Sequence, residues 1–203
     1  MKDDKRILLH VCCGPCAEWP ILSLLEEGYQ ITSFFSNPNI HPVFEQTRRR
    51  DNAAILMKLR DIPFVFDDEY REDLWLEKVW ESKTVEETYA NRCDMCYHIR
   101  MTRAAEEAVH QGFPAFTTSL LVSPYQDHER LMHAAQEAAD AAGVIFVYRD
   151  FRPGYRKGQD LAREHGIYRQ KYCGCIASLL ESAFYDKIVG SFEGSIGDTS
   201  IVR

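Results

Sequence analysis

Three of the seven cysteines in this 203-residue chain fall within five positions, Cys12-Cys13-Gly14-Pro15-Cys16. A second pair, Cys93-Asp94-Met95-Cys96, has the spacing that puts both sulfurs on one face of a helix. It falls near the expected start of a helix running to about His110, where the partial positive charge of an N-terminus would favour thiolates. By spacing, Cys13-x-x-Cys16 with Cys93-x-x-Cys96 makes a zinc site of two knuckles. The knuckles of small zinc ribbons, however, lie about 15–20 residues apart, and here the gap is far longer. Alternatively, Cys12 and Cys13 with Cys93 and Cys96 supply the thiolates of an iron–sulfur cluster. Four thiolates suit either metal, and spacing leaves both readings open. The third group, Cys173-Gly174-Cys175, could close only a very small disulfide ring, for which glycine supplies the backbone freedom. Strained, accessible disulfides are the labile kind, so this reads as a redox pair.

Composition sets the context for these thiols. Apolar residues make up 45% and charged residues 27% of the chain, the balance of a soluble globular protein. The length suits one domain spanning 1–203, with capacity for a full core and a polar tail from about 187. No apolar run approaches membrane-spanning length and the N-terminus shows no cleavage site, so no membrane partner is expected and the default location is cytoplasmic. In that compartment cysteines serve as metal ligands or catalytic thiols more often than as structural disulfides. A net charge of -7 does not advertise nucleic-acid binding. The one basic run, Arg48-Arg49-Arg50, reads as a solvated helix face.

Five β-rich segments alternate with helical patterns: Ile7–Val11, Ile31–Phe35, Phe64–Phe66, Ala115–Thr118 and Val144–Tyr148. Helices are expected after Pro20, from near Pro42, over Glu72–Trp80, after a capping box at Thr84, over Asp127–Ala142 with Gly143 as C-cap, and over about Ile176–Tyr185. This alternation predicts an α/β fold, an open, mostly parallel twisted sheet of about five strands with flanking helices. Unusual residues collect where the strands end: the cysteine cluster, then Asn37-Pro-Asn-Ile-His-Pro42, Asp67-Asp68, Ser119 with Ser123-Pro-Tyr-Gln126, and Asp150. Open parallel sheets bind ligands at that carboxyl edge, so one crevice is implied.

Other side chains fit such a crevice. His10, on the apolar first strand, reads as a satisfied core histidine. Asn37, Asn39 and His41 are turn-formers whose place at the sheet edge leaves a substrate role open. Aromatic residues (Tyr97, Phe151, Tyr155, Tyr168, Tyr172) interleave with Arg100, Arg152, Arg156, Arg169 and Lys171, a pattern suited to stacked bases and phosphates.

Together these motifs resemble epoxyqueuosine reductases of the QueH type. The matching stretches are Leu8-Leu-His-Val-Cys-Cys-Gly-Pro-Cys16, Asn37–Pro42, Arg92-Cys-Asp-Met-Cys-Tyr97, Phe116–Gln126, Phe151-Arg152 with Tyr155, and Tyr168-Arg-Gln-Lys-Tyr-Cys-Gly-Cys175. The resemblance implies an oxidoreductase for the last step of queuosine biosynthesis, in which the epoxide on a modified base at the tRNA wobble position is reduced with loss of water. It implies a fold similar to nucleotide-alpha-hydrolase (HUP-like) domains. It also implies a [4Fe-4S] cluster on Cys12, Cys13, Cys93 and Cys96, a redox-active disulfide between Cys173 and Cys175, and a second, mononuclear iron that Cys16 is placed to help hold. The expected partners are tRNA carrying epoxyqueuosine and an electron donor that the sequence does not identify. The first loop lacks a Ser-Gly-Gly phosphate signature, so ATP is not expected. Candidate substrate contacts are Asn37, Asn39, His41, Tyr97, Tyr125, Arg152, Tyr155, Tyr168 and Arg169, with Asp67, Asp68 or Asp150 for the cyclopentane hydroxyls. The alternatives are a zinc-stabilised, non-enzymatic tRNA-binding module and a thiol-dependent oxidoreductase acting on a small molecule.

Overall fold

The computed structural model describes residues 4–67, 70, 75–77 and 85–193. Among these residues five parallel strands make one open sheet: β1 (Arg6–His10), β2 (Gln30–Phe35), β3 (Phe64–Phe66), β4 (Ala115–Thr118) and β5 (Ile145–Phe146), in the order β3-β2-β1-β4-β5. In the central strand Ile7, Leu8, Leu9 and His10 are all fully buried. Both faces of β1 are therefore covered, which explains why its sequence is continuously apolar and does not alternate. From β1 the chain builds outward to β2 and β3, then crosses to β4 and β5 on the other side. The carboxyl ends of β1 and β4 thus flank the point where strand order reverses, the usual ligand crevice of such sheets.

β5 is two residues long where the sequence pattern suggests Val144–Tyr148. The Val144 N–H is taken by Ala139 O in the preceding helix cap (3.0 Å), leaving a short edge strand extended by the Val147 N–H to Phe116 O bond (2.9 Å).

The helices are α1 (Gly14–Glu26), α2 (Val43–Leu59), α3 (Val85–His110), α4 (His128–Ala142), α5 (Tyr155–Glu164), α6 (Ile176–Leu180) and α7 (Tyr185–Glu193). Helix α1 starts at Gly14-Pro15, not after Pro20. A proline in the first turn has no N–H to waste and a pre-set φ, so Pro20 lies inside the helix. Helix α4 is capped as the sequence implies: Asp127 accepts from the Arg130 N–H (3.2 Å), and Gly143 closes it at φ 73°. The C-terminal helix is broken. Ser182 accepts the Phe184 N–H on Oγ (3.1 Å) and the Tyr185 N–H on its carbonyl (3.0 Å), a local turn that competes with helix. Residues 185–193 are then helical, with Ile188 buried, in the region where the sequence suggests a polar tail. Asp68, most of the helix expected over Glu72–Trp80 (all but residues 75–77), the capping box at Thr84 and the final ten residues, 194–203, lie outside the described residues. No described helix is long and apolar enough to cross a membrane.

Candidate functional site

Strand β1 delivers the first cysteines to the reversal point. The Val11 N–H bonds to Phe34 O (2.8 Å), and the next backbone N–H, of Cys12, turns to the Ser119 hydroxyl just past β4 (3.0 Å). Cys13 sits at the N-cap of α1 in extended conformation, and the first helical turn brings Cys16 back beneath it. Gly14 lets the start of α1 pack against Ile167 and α2, since a Cβ there would lie 2.6 Å from Ile167 Cγ2 and 3.2 Å from Asn52 O. The sulfurs of Cys12, Cys13 and Cys16 all lie within 4.8 Å of one another, buried.

This triad is electrostatically unequal. Hydrogen bonds from the Cys13 and Cys16 thiols, with the Arg100 charge and the Ser119 hydroxyl, pull the Cys12 thiol well below its ordinary range. Burial raises Cys13, and hydrogen bonding to a Cys12 thiolate raises Cys16. Gln170 donates Nε2 to Cys13 Sγ (3.0 Å) and reaches Cys16 Sγ at 3.7 Å. Three convergent soft donors, one already biased to thiolate, fit a thiophilic metal or an iron–sulfur cluster, because binding needs only the remaining protons to be displaced.

The second pair lies elsewhere than its sequence suggests. Cys93 is eight residues past Val85, well inside α3, so no free N-terminal amides face it. Burial accordingly raises Cys93 and pushes Cys96 up to about 12; a shift toward thiolate does not occur. Cys93 and Cys96 are not within the compact triad. Between the groups stands Arg100, itself buried, which donates to Asn37 Oδ1 (2.6 Å) and reaches Cys96 Sγ at 3.7 Å. Its charge acts on Cys12, Cys96 and Cys173. Asn37 in turn donates to Val11 O (2.9 Å), so this asparagine holds Arg100 against the end of β1.

The Cys173-Gly174-Cys175 segment is held from behind by α2. Arg49, 2% exposed, donates to Cys173 O (2.8 Å) and Tyr172 O (3.1 Å) and pairs with buried Glu45 (2.7 Å). This corrects the reading of Arg48–Arg50 as a solvated face. Helical periodicity groups Arg49 with Glu45, Gln46, Ala53, Leu56 and Met57 on the buried side, whereas Arg48 stacks on the Tyr168 ring (3.7 Å) and Arg50 pairs with Asp51 (2.9 Å). The His41 N–H bonds to Gly174 O (2.8 Å) and the Tyr172 hydroxyl to His41 O, tying the segment to the 37–42 loop. Gly174 adopts φ 132°, a conformation glycine alone takes without strain. Cys173 faces solvent at the rim and Cys175 is buried. The surrounding protein and the neighbouring Cys175 raise the Cys173 thiol.

A cavity of about 410 Å³ opens over these elements. Of the residues expected from the sequence, Cys12, Cys16, Asn39, Tyr125, Tyr155 and Cys173 line it. Cys13 is buried against Cys12, with the two sulfurs 3.7 Å apart. Tyr97 is buried off the wall; its hydroxyl donates to Gln126 Oε1 (2.8 Å) and so orients a residue that does line the cavity. His41 holds the backbone of Gly174. Tyr168 donates to the Glu45 carboxylate (3.1 Å), Arg169 donates to Gln159 (3.1 Å), and Arg152 is engaged with Asp150 (2.7 Å); none of the three lines the cavity. Asp67 pairs with Arg103 (2.5 Å), so Asp67 and Asp150 are both occupied away from the cavity. His10 is the expected core histidine, bonded to the Thr118 hydroxyl (2.8 Å) and held neutral by burial with its pKa near about 3. Arg49, Gln159 and Gln170 are lining residues that the sequence pattern did not mark for the site. For Arg49 the signal was present as a Glu45–Arg49 pair at i,i+4.

A model of the family described as "Epoxyqueuosine reductase QueH" matches residues 7–181, which include all seven cysteines. The chain is 31% identical over 200 residues to an epoxyqueuosine reductase QueH from Haemophilus influenzae, covering 95% of this chain and 79% of the relative. It is 33% identical over 179 residues to the protein of the same name from Thermotoga maritima (86% and 91% covered) and 30% identical over 176 residues to that from Dehalococcoides mccartyi (87% and 93%). Among solved structures, the antimicrobial reagent A40926 pseudoaglycone deacetylase Dbv21 aligns over 80% of this chain and 81% of its own at 12% identity and a TM-score of 0.44, too low to bear on the site. With its motifs in order along one sheet edge and matched over most of its length, the chain belongs to the epoxyqueuosine reductase QueH family.

Proposed function

We propose that this protein reduces the epoxide of epoxyqueuosine in tRNA to the alkene of queuosine, with release of water, inside the cavity above the cysteine triad. The observation that carries the proposal is the convergence of Cys12, Cys13 and Cys16 sulfurs at one end of the cavity with Cys173 at its rim. Family membership supplies the substrate. A volume of about 410 Å³ suits one small-molecule-sized group, so the modified base must be splayed from the anticodon loop to enter, as bases are for chemistry or single-strand recognition.

Cys12 and Cys13, with Cys93 and Cys96 from α3, are the proposed holders of a [4Fe-4S] cluster, and Cys16 is a neighbouring donor for that centre or for a second iron. Such a group supplies single electrons and a Lewis-acidic iron. The chain's own residues do the rest. Opening the epoxide to the alkene consumes two electrons and two protons. Oxidation of the Cys173/Cys175 dithiol to a disulfide releases both, and an external donor of unknown identity re-reduces the pair. The raised Cys173 keeps its thiol proton at neutral pH, available to the departing oxygen. Tyr125 and Tyr155, packed edge to face (centroids 6.2 Å apart), flank the entrance as a platform for a flanking base. Asn39 and Gln170 each carry a buried amide oxygen without a hydrogen-bond partner among the described residues, acceptors for hydroxyl groups on the modified base. ATP has no part in this scheme, which would operate in the cytoplasm where tRNA is modified.

The test is anaerobic incubation of iron-loaded protein and a chemical reductant with epoxyqueuosine-containing tRNA, followed by mass spectrometry of the nucleosides. Loss of one oxygen from the wobble nucleoside is expected. Unchanged tRNA, or a colourless zinc protein, would overturn the proposal in favour of a binding module.

A further inference from the structure

Helices α3 and α4 run side by side along one face of the sheet. Their exposed seam carries Asp94 opposite Arg130 (3.4 Å) and, one turn further on, a cluster of another kind: His98 from α3 with His133 and Glu137 from α4. His98 Nε2 lies 3.5 Å and His133 Nδ1 3.3 Å from the same carboxylate oxygen, Glu137 Oε2, and all three atoms fall within 4.8 Å of one another. These separations are longer than the about 2.7–3.2 Å of an N–H···O hydrogen bond. The two histidine-to-carboxylate separations are close to the edges of a metal tetrahedron, in which bonds of about 2.0–2.1 Å place neighbouring ligands about 3.3–3.4 Å apart. The two imidazole nitrogens lie within 4.8 Å of each other. His133 and Glu137 are at i,i+4, so one helical face presents both, and α3 supplies the third donor across the seam.

From this geometry we infer a divalent transition-metal site, for Zn²⁺ first, held by His98, His133 and Glu137 with solvent at the fourth position. Two imidazoles with one carboxylate select such ions over Mg²⁺ or Ca²⁺, which take oxygen ligands. The site is separate from the cysteine triad and does not depend on the proposed reductase activity. All three side chains are solvent-exposed, so an ion can enter without rearrangement of the core. An ion bound there joins α3, which carries Cys93 and Cys96, to α4, and adds its binding free energy to the stability of the folded state.

The experiment titrates Zn²⁺ into the iron-loaded protein by calorimetry and Co²⁺ by absorption spectroscopy, comparing wild type with His98→Ala, His133→Ala and Glu137→Gln. The expected result is one additional ion per chain in the wild type, with cobalt d–d bands and no sulfur-to-cobalt charge transfer. Affinity should fall at least about tenfold in each histidine variant, because losing even a group outside the ligand set costs 10–100-fold. Iron and sulfide content should stay at wild-type levels, which also shows that the variants fold. Absence of an extra ion in the wild type, equal affinity in the variants, or a thiolate charge-transfer band would each overturn the site.

Discussion

Replacing Arg49 with methionine should both destabilise the protein and slow turnover, and the size of each effect can be worked from the contacts. Arg49 is 2% exposed and its partner Glu45 is fully buried, at 2.7 Å. Burial opposes the Arg49 charge, but Glu45 outweighs it and the guanidinium is held more firmly protonated than usual. Removing one partner of such a pair strands a buried carboxylate, at a cost of about 3–5 kcal/mol. For a chain of this size each kcal/mol moves the melting midpoint by about 2–4 °C, so a fall of about 6–20 °C is expected in anaerobic thermal melts. The double variant Glu45→Gln/Arg49→Met removes the stranded charge and keeps an acceptor for the Tyr168 hydroxyl. It should be the more stable of the two variants by about the cost of the stranded charge, because the carbonyls of Tyr172 and Cys173 lose their donor equally in both. Stability restored in this way should not restore activity, because Cys173 is still unclamped. A displacement of about 1 Å at a reacting group can cost about 100-fold in rate. Single-turnover rates measured alongside the melts separate the two effects. Arg49→Met within about 1 kcal/mol of wild type, or a double variant as unstable as the single, would refute the reasoning.

Three further changes test other parts of the site. Gly174→Ala forces a Cβ to 3.0 Å from the Arg49 guanidinium and 3.1 Å from Ile40 Cγ1 at φ 132°; a loss of about 1–3 kcal/mol in melting experiments and slower reoxidation of the dithiol are expected. Tyr125→Ala removes an 82% exposed ring from the cavity entrance; KM for tRNA should rise by the equivalent of about 1–3 kcal/mol of stacking while the melting midpoint holds, and an unchanged KM would remove this residue from the platform. Gln170→Leu deletes the donor 3.0 Å from Cys13 Sγ; the bound metal centre should become harder to reduce in a potentiometric titration, whereas an unchanged or higher potential would show that the amide does not tune it.

The sheet was largely legible from the sequence because its inner strands are buried on both faces and read as apolar runs ending in polar loops. Phe64–Phe66 and Ala115–Thr118 coincide with β3 and β4, and the clustering of special residues at strand ends located the crevice. The partnerships within the crevice were harder to read. Cys16 joins Cys12 and Cys13 because a helix begins one residue after Cys13, a boundary that the interior Pro20 obscured. Cys93 and Cys96 sit mid-helix because α3 extends well upstream of them, so the thiolate expectation failed on an element boundary. Arg49 was lost within a run of three arginines whose neighbours do face outward. Asp67 follows β3 directly, but Arg103 reaches it from α3, which no local pattern reveals; Asp150 lies beyond the shortened β5 and is taken by its near neighbour Arg152.

The central claim, that the triad end of the cavity holds a redox metal centre facing the modified base, is tested most directly by electron paramagnetic resonance of the anaerobically reduced protein. Spectra would be recorded alone, with tRNA carrying epoxyqueuosine, and with tRNA already carrying queuosine. The expected result is an iron–sulfur signal whose line shape changes on adding the epoxide-bearing tRNA and that is lost in Cys12→Ser. A protein holding only zinc, or a signal that epoxyqueuosine tRNA leaves unmoved, would contradict it.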